Sequence, residues 1–195
     1  MSLKQFSGIP AFNKDWTLFL DRDGVINKEI VGSYITCTGE FEFCAGVKDA
    51  LQKLCDIFGK VIVVTNQRGV GKGIMTNENL QEIHARMSNE IIAAGGRIDR
   101  IYSCTAVAED DHNRKPNTGM GMQAREDYPE IDFHKSVMVG NSPSDMEFGK
   151  RLAMYTVFLT TKHEPFELPN DLVNEQFPSL QAWANSLKPA MMMHW

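Results

Sequence analysis

Trp16-Thr17-Leu18-Phe19-Leu20-Asp21-Arg22-Asp23-Gly24-Val25-Ile26-Asn27 is the stretch whose reading decides the fold. Its first five residues have the apolar and aromatic composition of a strand, and they lead two carboxylates, two residues apart, into a turn marked by Gly24. Alternation along an extended backbone puts Asp21 and Asp23 on the same side. Like charges held that close are costly unless something positive sits beside them, and a divalent cation meets that need. The carboxyl end of a buried strand in an open α/β sheet is also the usual mouth of an active site.

Outward from this stretch, strands and helices alternate. Residues 1–15 read as an irregular lead-in, and residues 24–45, with Gly24, Gly32 and Gly39, as a small flap of turns or a hairpin. Val47, Ala50, Leu51, Leu54 and Phe58 follow helical spacing up to Gly59. Lys60 to Thr65 is a nearly continuous β-branched run suited to a parallel sheet. A polar loop, Asn66 to Gly73, follows it. Thr76 caps the next helix, whose apolar stripe is Leu80, Ile83, His84, Met87, Ile91 and Ile92. His84 reads there as a core or boundary residue and not as a ligand.

Further strands are expected at Arg100–Cys104, Ser136–Gly140 and Tyr155–Leu159, with helices over 119–127, from Pro143 to Leu152, and after Ser179. This pattern predicts an α/β fold: a doubly wound, mostly parallel sheet with helices on both faces, in one domain over 1–195. The core spans about 16–160, and 161–195 forms a C-terminal extension with a short helix and a Met-rich end at 191–193.

Composition narrows the function. The 195 residues are 43% hydrophobic and carry a net charge of -5 without a basic stripe, which argues against a nucleic-acid partner. No apolar run approaches a membrane span, no signal peptide precedes the first strand, and four cysteines without a Cys-x-x-Cys pair suit a reducing cytoplasm.

If the strands are parallel, their carboxyl ends gather Asp21 and Asp23, Thr65 with Asn66, the Arg114-Lys115-Pro116 turn, and Asn141 with Asp145. Two acids, a hydroxyl with backbone N–H donors, a lysine and a second amide-and-acid pair are what phosphoryl transfer needs. A carboxylate nucleophile gives an acyl-phosphate. The segment around Gly69-Val70-Gly71-Lys72-Gly73 fails as a nucleotide loop, because Asn66 and Gly73 stand where a glycine and a Ser/Thr are required.

The runs DRDGVIN, VVTNQRGVGKG, RKPNTGM and MVGNSPSDM, in this order over residues 16–160, resemble the haloacid dehalogenase superfamily. More narrowly they are similar to its heptose bisphosphate phosphatases and histidinol-phosphate phosphatases. The resemblance implies a Mg2+-dependent phosphomonoesterase in which Asp21 attacks phosphorus and Asp23 serves as acid and then base. Thr65 and the Asn66 N–H would hold phosphoryl oxygens, Lys115 would neutralise developing charge, and Arg114 would contact substrate. The metal set would be Asp21, Asp23, Asn141 and Asp145.

Three positions depart from the family pattern. Asn141 stands where a metal-ligating Asp is usual, so weaker magnesium binding is expected, and the same residue reads equally as a turn former. Asp145 is also favourable simply as an acid in the first turn of a helix. A Cys/His zinc loop is reduced to Cys104 and His112, so no structural zinc is expected. Arg68 and Lys72 add cations near the mouth, or are plain surface charges.

The spans 24–45 and 105–114 are too short for a full cap domain, so the site should be open. The expected partner is a small phosphate ester, a sugar bisphosphate such as heptose 1,7-bisphosphate. Histidinol phosphate, a polynucleotide 3'-phosphate, and a catalytically impaired binding protein are the alternatives.

Overall fold

The computed structural model describes residues 8–187. Six strands, β1 (Thr17–Leu20), β2 (Lys60–Asn66), β3 (Arg100–Cys104), β4 (Ser136–Gly140), β5 (Tyr155–Leu159) and β6 (Glu175–Phe177), form one sheet in the order β3-β2-β1-β4-β5-β6. Every pairing is parallel. The chain builds outward from β1 through β2 to β3, then returns to lay β4 on the other side of β1. The strand order therefore reverses at β1, and a crevice opens outside the carboxyl ends of β1 and β4. The register sets Leu20 beside Val63 and Val139, so β1, β2 and β4 finish in step around that crevice.

Alternation along β1 explains why helices cover both faces. Leu18 and Leu20 point into the larger core with Leu51 and Leu54 of α1 (Val47–Ile57), Ile83 and Met87 of α3 (Asn77–Ala93) and Trp183 of α6 (Leu180–Ser186). A short α2 (Arg68–Gly71) intervenes between β2 and α3. Phe19 points the other way, onto Met120 and Ala124 of α4 (Gly119–Asp127) and Phe148 of α5 (Pro143–Arg151). Burial of both faces is what a β-branched run such as β2 requires in place of a polar face.

The helix starts follow local chemistry. Thr76 and Asn79 form a reciprocal capping box at α3, Ser142 and Asp145 another at α5 with Pro143 in its first turn, and Ser179 accepts from the Ala182 N–H at 3.1 Å.

The fold is the expected doubly wound α/β class, with two local differences, and the flap resolves to one of its two expected forms. The glycine-rich loop after β2 contains the helical turn α2, because Gly73 closes it at φ 68° and the Lys72 N–H returns to Arg68 O. The C-terminal extension, where only a short helix was expected, also supplies β6 as an edge strand; three residues are too few for a sequence period. Residues 24–45 fold as turns with a short 3-10 segment at Thr38–Glu40 and two isolated bridges, not as a hairpin. The Met-rich end at 191–193 lies outside the described residues. No helix among the described residues is long and apolar enough to cross a membrane.

Candidate active site

β1 ends by passing the Asp21 N–H to Val139 O at 3.0 Å, which sets the Asp21 side chain at the head of the crevice. The chain then turns at Gly24, where φ is +79° and an added Cβ would lie 1.9 Å from Asn141 Nδ2. Glycine is needed there twice over, for the backbone and for the approach of the loop after β4.

Lys115 organises the charges. It is 3% exposed, and its Nζ donates to Asp21 Oδ1 at 2.9 Å, Asp145 Oδ1 at 2.6 Å and Val64 O at 2.7 Å. Asn66 fixes its backbone from both sides, donating to Lys115 O at 3.1 Å and accepting from Lys115 N at 3.0 Å. The end of β2 thus positions the ammonium of the segment between β3 and α4 against a carboxylate that sits 94 residues away in the sequence. Burial works against the ammonium, but the Asp145 and Asp21 carboxylates outweigh it and hold the Lys115 pKa above its ordinary value. Burial pushes Asp21 up to about 7, with Lys115 opposing and Asp145 and Asp23 adding to the rise.

Asp23 is in a different environment. Burial alone would raise its pKa, yet the Arg22 guanidinium, with Asn27 and Gln67, holds the carboxyl below the usual range. Arg22 Nη2 lies 2.9 and 3.1 Å from the two Asp23 oxygens, Asn27 Nδ2 donates at 2.9 Å and Gln67 Nε2 at 2.8 Å. The two acids are therefore driven apart in proton affinity, Asp21 upward and Asp23 downward.

Asp145 is committed elsewhere. Its Oδ2 accepts from the N–H groups of Asn141 and Ser142 and from Ser142 Oγ, at 3.1, 3.0 and 2.7 Å, while Oδ1 accepts from Lys115. It braces the loop after β4 against the lysine. The Asn141 amide is left with Nδ2 buried and unpartnered.

Asp21, Asp23, Asn66, Lys115, Asn141 and Asp145 line one cavity of about 170 Å³, whose wall also includes Lys162. Thr65 is 1% exposed beneath it, its hydroxyl accepting from Gln67 Nε2 at 2.9 Å. Arg68, Lys72 and Arg114 are not brought into that wall. Arg68 and Arg114 pair with the exposed carboxylate of Glu109, the latter at 3.2 Å, and Lys72 lies 5.5 Å over the Tyr34 ring.

Sequence reasoning missed Gln67, Lys162 and the buried Arg22; an arginine between two acids was the available signal for the last. Among the described residues, no group of three or more His, Cys, Asp or Glu side chains is placed as a metal cage. Asp21, Asp23, Glu29, Asn141, Ser142, Ser144 and Asp145 are among the oxygen-bearing residues that line the cavity. The Cys104 thiol, expected as a remnant of a zinc loop, is buried against Asp111 at 3.4 Å.

The family model described as polynucleotide kinase 3 phosphatase matches residues 9–167. A D-glycero-alpha-D-manno-heptose-1,7-bisphosphate 7-phosphatase of Mycobacterium tuberculosis is 36% identical over 139 residues, covering 71% of this chain and 73% of that protein. The enzyme of the same name from Photorhabdus laumondii is 32% identical over 167 residues, covering 82% and 90%. Among solved structures, the D,D-heptose 1,7-bisphosphate phosphatase of B. bronchiseptica, complexed with magnesium and phosphate, superposes with a TM-score of 0.75 at 23% identity, covering 87% of this chain and 96% of that one. A HAD-like phosphatase from Mesorhizobium loti gives 0.70 at 24% identity, covering 90% and 87%. At these identities the two structures speak for the fold.

Proposed function

This chain belongs to the phosphatases of the haloacid dehalogenase superfamily, and we propose that it acts as one domain to remove a phosphoryl group from a small sugar bisphosphate of the heptose 1,7-bisphosphate class. The observation that carries the reading is the buried chain Asp21–Lys115–Asp145 beside a separately caged Asp23.

In this reading Asp21 attacks phosphorus, the bond from phosphorus to the sugar oxygen breaks, and Asp23 gives that oxygen its proton. A water then attacks the aspartyl-phosphate, Asp23 takes the water's proton, and Asp21 and inorganic phosphate are released. Lys115 keeps the Asp21 carboxylate from repelling the incoming phosphate and stabilises the charge that spreads over its oxygens. Asn66 N–H and the Thr65 hydroxyl, at the end of β2, would be donors for those oxygens. Asp23 is held ionised in the free protein; a bound phosphoryl dianion raises its proton affinity, so the acid form arises in the complex.

Magnesium fits the donor set. Asp21, the main-chain carbonyl of Asp23 and the Asn141 amide are oxygen ligands of the kind it takes while keeping several waters. The partnerless Asn141 amide end is what a residue reserved for a ligand looks like, since turning the amide presents its oxygen. Bound there, the ion would supply charge neutralisation for the transferred group. Asp145, its oxygens already occupied, would support the site through Lys115 and the loop and not as a ligand.

The phosphoryl group would sit at the head of this cavity of about 170 Å³, with the rest of the substrate across its open mouth. Arg68 and Arg114, sharing one carboxylate, leave an excess positive charge for a second phosphate. The test is phosphate release, with and without magnesium, from sugar mono- and bisphosphates, histidinol phosphate and an oligonucleotide 3'-phosphate, with Asp21→Asn as the blank. Metal-dependent release that favours the bisphosphate supports the reading. Equal turnover of mono- and bisphosphates, or preference for the oligonucleotide, sinks it.

A further inference from the structure

Among the buried titratable groups that the mechanism leaves unused is a histidine in contact with the first motif. His84 lies on the apolar face of α3, 5% exposed, between Leu80, Ile83 and Met87, and 62 residues from the motif it touches. Its Nε2 is 3.2 Å from Arg22 Nη1. A guanidinium has five donors and no acceptor, so the ring nitrogen facing it accepts and the imidazole is the neutral form with its proton on Nδ1. Burial first, and Arg22 second, push the His84 pKa down to about 4, in keeping with that form.

Arg22 is 1% exposed, and its side-chain partners are Asp23 on one edge and His84 on the other. Its main-chain carbonyl receives the N–H groups of Val25, Ile26 and Asn27 at 3.3, 2.8 and 3.2 Å, so its Cα cannot shift. With the backbone held, the guanidinium plane can still rotate. That plane decides whether the Asp23 carboxylate is gripped by two N–H groups in parallel or by one. A dehydrated N–H without an acceptor is costly, and the plane would turn to relieve it.

We infer that His84 is a positioning residue for the acid–base step: by accepting from Arg22 it fixes the guanidinium against Asp23 and so aims that carboxylate at the leaving oxygen. The inference rests on the proposed reading of the site. Its requirement is for a hydrogen-bond acceptor at this place on α3, not for an imidazole. Glutamine meets it, with Oε1 in place of Nε2; leucine matches the apolar surroundings and does not.

The experiment compares kcat/KM, which reports the step that breaks the ester, for two esters. One is p-nitrophenyl phosphate, whose leaving group needs no proton; the other is the sugar phosphate that the wild type turns over fastest. His84→Leu is expected to lose about tenfold or more on the sugar ester and to change less than about threefold on the aryl ester. His84→Gln should stay within about threefold of wild type on both. Circular dichroism and the thermal midpoint show that each variant is folded. Equal losses on both esters in His84→Leu, no loss on either, or a Gln variant as impaired as the Leu variant overturns the inference while leaving the reading of the site intact. Turnover that survives Asp21→Asn overturns the reading, and the inference with it.

Discussion

Replacing Lys115 by methionine removes the one cation that Asp21 and Asp145 share, at a place where the lysine side chain is 2% exposed, Asp145 1% and Asp21 13%. Taking one partner from a buried pair costs roughly 3–5 kcal/mol, because the remaining charge is left without compensation. For a chain of this length each kcal/mol lowers the thermal midpoint by about 2–4 °C, so the expected drop is about 6–20 °C. The pH dependence has a definite sign. The folded pKa of Asp21 is already pushed up to about 7 from 3.8, so its ionisation counts against the folded state as pH rises through that range. Without Lys115 the value climbs further, and the penalty relative to wild type is greatest above pH 7 and smaller at pH 5, where Asp21 carries its proton in both proteins. Thermal unfolding followed by circular dichroism at pH 5 and pH 8, in magnesium-free buffer, measures this directly. Adding Asp21→Asn to Lys115→Met should recover part of the loss at pH 8. A Lys115→Met protein that melts within about 2 °C of wild type at pH 8, or one more destabilised at pH 5 than at pH 8, refutes the reasoning.

Other outcomes follow from the same geometry. Asp21→Asn should abolish phosphate release yet raise the thermal midpoint of the metal-free protein above pH 7, since a buried amide costs less than a buried carboxylate. Asn141→Asp should tighten magnesium binding by about tenfold, about 1.4 kcal/mol in a calorimetric titration, by adding a charged oxygen ligand. His84, with its pKa depressed from 6.5 to about 4, contributes stability that is complete above pH 6.5 and is lost as pH falls toward 4. Relative to His84→Gln, the wild type should therefore lose about 1.4 kcal/mol per pH unit in denaturant unfolding as pH falls through that window, the opposing slope of Asp21 being common to both proteins. Glu109→Gln should lower the KM for a bisphosphate severalfold and leave the KM for a monophosphate unchanged, because Arg68 and Arg114 no longer hold an internal carboxylate.

Much of the fold was legible because its signals are local. The five-residue run before Asp21, the β-branched run from Lys60, and the caps at Thr76, Pro143 and Ser179 each express a preference within a few residues. Where the element was too short to have a period, as at Arg68–Gly71 and Glu175–Phe177, nothing local marked it. In the site, Asp21, Asp23, Asn66, Lys115 and Asn141 could be gathered in advance because parallel strands in register bring their carboxyl ends together. The cations were harder to place. Arg68 and Arg114 stand next to residues of the cavity, yet their side chains turn to Glu109, and only the path of the 105–118 loop decides that.

By itself, then, the amino-acid sequence determined the class of sheet, the end of it that carries the chemistry, and the identity of the groups assembled there. The tertiary structure alone decided how those groups divide the work. Asp145 became a brace because both its oxygens meet donors from a lysine 30 residues away and from its own helix cap. Asp23 and Asp21, two residues apart and chemically identical, acquired opposite pKa shifts because one meets Arg22, Asn27 and Gln67 and the other is buried beside Asp145 with only Lys115 to offset it. Proton affinity depends on which charges and dipoles surround a buried group, and those come from distant parts of the chain that only folding brings into contact.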